Sequence, residues 1–184
     1  MRIIGGKYRS RVLVGFEGDD VRPTSDRARE ALFNILYPKC IGARVLDLFA
    51  GSGAVGLESL SRGAKEVVFN DYSKESLAIL RKNLSMLKIK ENGEEARVLH
   101  SDYSACLQSL KGGFDIIFLD PPYKLDVGEK ALKLIAENRL LNENGVVVYE
   151  CDKPLAAQVD GWEKTDERRY GKAYFTFFKA VQKD

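Results

Sequence analysis

The 184 residues include three cysteines, one histidine, one tryptophan and five prolines. Cys40, Cys106 and Cys151 lie far apart and show no CxxC spacing, which argues against a disulfide framework or a zinc site. His100 stands alone, so metal chemistry built on histidine clusters is disfavoured, as is a Ser-His-Asp arrangement, and no metal is expected. No apolar run approaches the ~20 residues needed to cross a bilayer. The longest, Ile116–Leu119 and Val146–Tyr149, are strand-sized. Met1-Arg2-Ile3-Ile4-Gly5-Gly6-Lys7 does not lead into the apolar stretch of a secretory signal, so a cytoplasmic protein without a membrane partner is expected. An excess of one charge is also missing. There are 29 Lys+Arg against 27 Asp+Glu, a formal net charge of +2. Contact with phosphates would therefore have to come from a local patch.

Hydrophobic residues make up 45% and charged residues 30%, which excludes disorder by composition. The length fits one domain, residues 1–184, with 1–20 as an N-terminal extension and 21–40 carrying a leading helix. Short β-rich runs alternate with helical stretches. Strands are expected at 43–48, 66–70, 96–100, 114–119 and 145–150. Helices are expected at 54–62, 73–87, 103–110 and 127–140. Leu77, Leu80, Leu84 and Leu87 mark one helix face by their three-and-four spacing. Residues 114–119 are nearly all apolar, as in the buried middle of a parallel sheet. The alternation predicts an α/β fold: a parallel sheet with helices on both faces. Residues 2–4 and 11–14 suggest a small N-terminal β-hairpin. Residues 25–37 predict a helix with Thr24 or Ser25 as N-cap. Residues 163–170 and 172–180 flank Gly171 and predict an antiparallel hairpin at the sheet edge.

Asp47-Leu48-Phe49-Ala50-Gly51-Ser52-Gly53-Ala54-Val55-Gly56 places GxGxxG directly after a strand. Glycines there permit a tight turn and close approach of a ligand. Asp71 follows at the end of the next strand, where a carboxylate can accept from both hydroxyls of a ribose. The pattern suits any adenosine-containing cofactor. NAD carries a pyrophosphate, for which Asp47 would be a poor neighbour. S-Adenosyl-L-methionine carries an ammonium and a sulfonium instead, and Asp47 favours it.

Asp120-Pro121-Pro122-Tyr123 ends the apolar fourth strand and should face the same crevice, since ligands of open α/β sheets bind beyond the carboxyl ends of the strands. Two prolines remove two N–H donors and stiffen the backbone. An acceptor-rich edge remains, the Asp120 carboxylate and the Pro121 carbonyl, suited to a planar amino group with two N–H bonds. Tyr123 could stack on a flipped-out base. An exocyclic base amine is a weak nucleophile, and two acceptors could orient its lone pair toward a methyl donor.

These motifs resemble those of class I S-adenosylmethionine-dependent methyltransferases. Residues 22–36, beginning Arg22-Pro23-Thr24-Ser25-Asp26-Arg27, together with residues 45–53, are similar to the bacterial RsmD family, and the likeness runs from Met1 to the Tyr170-Gly171-Lys172 strand. The resemblance implies a Rossmann-like fold with a mostly parallel seven-stranded sheet. It implies methylation of the N2 amine of a guanine in small-subunit (16S) ribosomal RNA. It also implies roles. Phe49, Ala50, Gly51 and Gly53 would line the donor, with Asp47 beside it and Asp71 on the ribose. Tyr72 would lie against the adenine, Asp102 would accept from the adenine amine, and Tyr103 follows it. Asp120, Pro121, Pro122 and Tyr123 would receive the guanine. Asn70 stands where relatives tend to have an apolar residue.

From Met1 to Gly15 there are four basic residues, Arg2, Lys7, Arg9 and Arg11, and no acid. Tyr8 lies among them, and Arg22, Arg27 and Arg29 follow. With the resemblance, Lys7, Tyr8, Arg9, Arg11, Arg22 and Arg27 are the expected RNA contacts, a small footprint on 16S RNA or an assembly intermediate. Nothing in the residues requires a dimer, and a monomer is expected. Three other readings remain: an adenine-N6 methyltransferase on DNA or RNA, a non-catalytic RNA-binding assembly module, and, last, a nicotinamide oxidoreductase that would leave Asp47 and Asp120–Tyr123 unused.

Overall fold

The computed structural model describes residues 1–16, 25–121, 127–154 and 159–181. Seven strands form one sheet: β1 (Arg44–Asp47), β2 (Glu66–Asp71), β3 (Ala96–His100), β4 (Phe114–Leu119), β5 (Leu141–Cys151), β6 (Trp162–Tyr170) and β7 (Ala173–Ala180). Their order is β3-β2-β1-β4-β5-β7-β6. The first five are parallel, and β7 and β6 close the edge as an antiparallel pair. The helices are α1 (Asp26–Leu36), α2 (Ala54–Ser61), α3 (Lys74–Met86), α4 (Tyr103–Ser109) and α5 (Gly128–Glu137). This is the Rossmann-like class I arrangement that the resemblance implies, and its parallel part is the one the alternation predicts.

The two sheet faces carry separate apolar clusters. Val45, Phe118, Val148 and Phe175 belong to one, with Leu32 and Phe33 of α1 and Leu57 of α2. Leu46, Ile117, Val147 and Phe178 belong to the other, with Ala131, Leu132 and Ile135 of α5. Successive strand residues thus point to opposite layers. Trp162 and Phe178 pack edge to face in the second layer, and the indole N–H donates to the Leu132 carbonyl at 3.1 Å.

Two elements differ from expectation. β5 begins at Leu141, because Leu141 pairs with Phe114 before a register shift sets Val146 opposite Ile116. α5 stops at Glu137, because Arg139 takes φ +50° and Leu140 N–H folds back to the Ile135 carbonyl.

The N-terminal hairpin is reduced to one antiparallel bridge, Arg2 with Val12, around a 3-10 turn at Gly6–Tyr8. Its neighbours explain why it does not extend. Buried Glu58 of α2 accepts from the Ile4 and Gly5 N–H groups at 2.7 and 2.9 Å. Ser61 accepts from Tyr8 N–H and donates to the Gly5 carbonyl. Gly6 sits at φ +75°, and a Cβ there would lie 1.7 Å from the Ser61 carbonyl oxygen. The hairpin is short but real, with Ile3 N–H donating to the Arg11 carbonyl, Ser10 N–H to the Ile3 carbonyl and Leu13 N–H to the Met1 carbonyl, and its turn is fastened to a helix end.

Arg29 of α1 completes the clamp and departs from its expected place in the basic patch. It is 1% exposed, donates to Asp26 at 2.9 Å and to the Arg2 carbonyl, and lies 3.9 Å from Glu58. Its guanidinium is core. Glu58→Ala should cost about 3–5 kcal/mol in chemical denaturation, because it strands a buried cation and two backbone donors. A loss below about 1 kcal/mol would show that the clamp is not needed.

Candidate functional site

The sheet order reverses between β1 and β4, which makes their carboxyl ends the expected crevice. Register decides which side chains meet there. Asp47 pairs with Phe118, and Phe118 with Val148. Asp120 lies two residues beyond Phe118, and Glu150 two beyond Val148, so Asp47, Asp120 and Glu150 share one face of three adjacent strands. All three line a cavity of about 110 Å³ with Phe49, Ala50, Gly51, Phe118, Val148 and Phe175. Phe16 and Leu32 wall it on the N-terminal side. Among the described residues its lining contains no Lys or Arg.

Carboxylates set close together in a dry setting hold protons tightly. Burial pushes Asp47 up to about 7, the nearby Asp71 charge adds to this, and the hydrogen bond from Gly56 N–H at 3.0 Å works against it. Asp120 is also raised, by burial and by the carboxylates of Glu150 and Asp47. Its surface is open at the crevice mouth, so desolvation alone is a weak ground for the shift. The two facing carboxylates carry the direction.

The glycine turn is built tightly. Gly53 sits at φ +82°, and a Cβ there would lie 2.3 Å from Leu80. Asp71 binds the turn with one oxygen, accepting from Gly51 N–H at 2.7 Å, and Ser73 N–H with the other, at 2.8 Å. Each oxygen keeps a second lone pair for a ligand. Asp102 caps α4. Its Oδ1 accepts from the Ser104 hydroxyl and N–H, and the hydroxyl bond is the main cause of its lowered pKa. Tyr103 packs on Phe49, centroids 5.9 Å apart. Tyr72 is exposed, and its carbonyl lies 3.0 Å from His100 Nε2 at the end of β3.

Three polar residues that the sequence reading missed hold this frame. Asn83 of α3 donates to the Val14 and Ser52 carbonyls and accepts from Val14 N–H, tying the N-terminal segment to the glycine turn. Glu58 is the second. Both lie on buried helix faces beside apolar residues, Glu58 next to Leu57 and Asn83 next to Leu84. Glu150 is the third. Like Asp47 and Asp120 it ends an apolar strand, and that shared pattern would have found it. Asn70 has a structural role. It is buried, donates to the Leu48 and Ser101 carbonyls and accepts from the Ser101 hydroxyl, joining the ends of β1, β2 and β3.

Of the expected RNA contacts, Lys7, Arg9, Arg11 and Arg27 are exposed, while Tyr8 is partly buried against the core. Lys7 lies 3.9 Å from Glu95 and 5.0 Å from the centre of the Tyr8 ring. Pro121 is buried beside Asp120. Arg22, Pro122 and Tyr123 lie outside the described residues. Among the described residues no group of three or more His, Cys, Asp or Glu could hold a metal ion, and no helix is long and apolar enough to cross a membrane.

Residues 1–179 match the family described as Conserved hypothetical protein 95, the RsmD family. The chain belongs to this family. It is 38% identical to Ribosomal RNA small subunit methyltransferase D of Haemophilus influenzae over 175 residues, covering 93% of this chain and 89% of the relative. It is likewise 38% identical to the protein of the same name from Escherichia coli (strain K12) over 152 residues, covering 83% and 75%. The solved structure of yhhF from Escherichia coli superposes with a TM-score of 0.86 at 35% identity, covering 98% of this chain and 97% of that one. This RsmD-family chain is therefore a methyltransferase.

The raised Asp47 makes a stability prediction. Its folded pKa of about 7 exceeds the ordinary 3.8 of an unfolded carboxyl. Between those values the folded state keeps a proton that the unfolded state has lost, so stability falls as pH rises through this window. Asp47→Asn should flatten that slope and raise stability at pH 8 by roughly 2–4 kcal/mol. Denaturation curves that show no pH slope, or a less stable Asn variant at pH 8, would refute the assignment.

Proposed function

We infer that this enzyme uses S-adenosyl-L-methionine to methylate the N2 amine of a guanine in 16S ribosomal RNA, free or within a small-subunit assembly intermediate, as a cytoplasmic monomer. The observation that carries the reading is the acidic crevice beside the glycine turn, with an amine-accepting edge at its mouth. The named relatives supply the RNA.

The donor set fits this cofactor. The crevice offers three carboxylates and, among its described lining residues, no cation. That environment attracts an ammonium and a sulfonium and repels a pyrophosphate, which disfavours a nicotinamide cofactor. Asp47 would hold the ammonium, Asp71 the ribose and Asp102 the adenine amine. Phe49, Ala50, Gly51 and Gly53 would line the cofactor, with Tyr72 and Tyr103 beside the adenine. When bound, S-adenosyl-L-methionine supplies a methyl group on a cationic sulfur that needs no further activation.

The remaining work belongs to the chain. The Asp120 carboxylate and Pro121 carbonyl accept the two amine N–H bonds and aim the nitrogen lone pair. Once methylated, that nitrogen must shed a proton. Asp120, whose proton affinity its neighbours raise, is placed to take it. Pro122 and Tyr123 complete the edge and the stacking face in this reading. Lys7, Arg9, Arg11, Arg22 and Arg27 bind RNA phosphates, with Tyr8 offering the exposed part of its ring.

Asp120→Ala should lower methyl transfer by about 10²–10³-fold, while calorimetry finds donor affinity largely kept. Full activity would remove Asp120 from this role. Mass analysis of nucleosides after reaction with small-subunit RNA should find N2-methylguanosine. N6-methyladenosine in its place would establish the adenine reading. Donor binding without any methyl transfer would favour the non-catalytic module.

A further inference from the structure

The mechanism above uses Asp120 and leaves the third carboxylate of the crevice without a task. Glu150 is 7% exposed, lies one residue before the end of β5 and lines the same cavity as Asp120. Leu119 pairs with Tyr149 in parallel register, so Asp120 and Glu150 follow side by side on adjacent strands. Such strands lie about 4.8 Å apart. On the far side Glu150 pairs with Phe175 of β7. Leu32, Phe118, Val148 and Phe175 supply apolar walls, so the acid forms part of the floor of a slot that is otherwise apolar on this side.

A flipped base is read by hydrogen bonds to its Watson–Crick edge. Guanine presents two neighbouring donors there, the N1–H and the N2 amine. Adenine presents an amine beside a bare N1 acceptor. Two adjacent carboxylates therefore match guanine and oppose adenine. If Asp120 takes the amine, the acid one strand over meets position 1 of the ring. A carboxylate facing an acceptor in a desolvated slot leaves both unpaired, and sites that pair a substrate N–H reject analogues lacking it by large factors.

We propose that Glu150 is the specificity-determining residue that accepts the guanine N1–H, so that the Asp120–Glu150 pair selects guanine over purines with an unprotonated N1. This rests on the guanine-N2 reading and extends it to how the base is chosen. It also gives the enzyme a means of distinguishing two amines that Asp120 and Pro121 alone would treat alike.

The test replaces the mapped target guanine in small-subunit RNA by 2-aminopurine, which keeps the 2-amine but has an acceptor at N1. The wild-type enzyme should methylate it at least about 100-fold less efficiently in kcat/KM than guanine. Glu150→Gln, whose amide can donate to that acceptor, should narrow the ratio at least tenfold, with an unchanged thermal unfolding midpoint as the check on folding. A wild type that uses 2-aminopurine as well as guanine overturns the proposal without any variant. So does a Glu150→Gln enzyme that slows both substrates equally. If the wild type does not methylate guanine N2 at all, the parent reading fails, and that result is visible before the substitution is made.

Discussion

Three acids at the ends of β1, β4 and β5 face one crevice because parallel register leaves them no other direction. Asp47, Asp120 and Glu150 follow apolar residues of one sheet layer, and each strand's alternation carries its acid to the same side. The arrangement is electrostatically costly. Burial and the nearby Asp71 charge raise the proton affinity of Asp47, burial and the carboxylates of Glu150 and Asp47 raise that of Asp120, and a fold selected for stability alone would not place like charges together. The cost has a chemical use. In the proposed reading, a crevice whose described lining holds no Lys or Arg would attract a ligand carrying two cations, and Asp120 would accept an N–H bond from a base.

The rest of the molecule holds that crevice open and shaped. Glu58 and Arg29 clamp the N-terminal segment to α1 and α2, and Asn83 continues the tie from Val14 to the glycine turn. Phe16 and Leu32 reach the cavity wall from this clamped layer. Asn70 binds the ends of three strands where the adenosine half of a cofactor would lie. The same segment carries the exposed Lys7, Arg9 and Arg11. Phosphate contacts there would be mechanically joined to the crevice through Glu58 and Asn83.

Much of this was legible in the residues. The strand and helix alternation, the glycine turn and Asp120-Pro121 are local patterns with local causes, and β3 and β4 span the residues at which the sequence predicts them. Ser25 is the cap of α1, accepting from Ala28 N–H at 3.2 Å. What escaped was set by distant contacts. Arg29 reads as another basic residue in a basic stretch, and its burial depends on a glutamate 29 positions away. The N-terminal hairpin is kept short, because the side chains of α2 take the backbone N–H groups of Ile4, Gly5 and Tyr8. Glu150 shares with Asp47 and Asp120 a place at the carboxyl end of an apolar run, but only register sets it beside Asp120. The mild net charge of +2 conceals both features: exposed cations on the N-terminal segment and a negative interior at the sheet end.

The central claim is that the crevice stores negative charge, held partly protonated, for a cationic donor. The most direct measurement is the proton count on binding S-adenosyl-L-methionine, from calorimetry near pH 6.5 in buffers of different ionisation enthalpy. A cation entering beside Asp47 and Asp120 lowers their proton affinity, so protons are released, and Asp47→Asn diminishes the release. Binding with no net release, or with proton uptake, contradicts the claim.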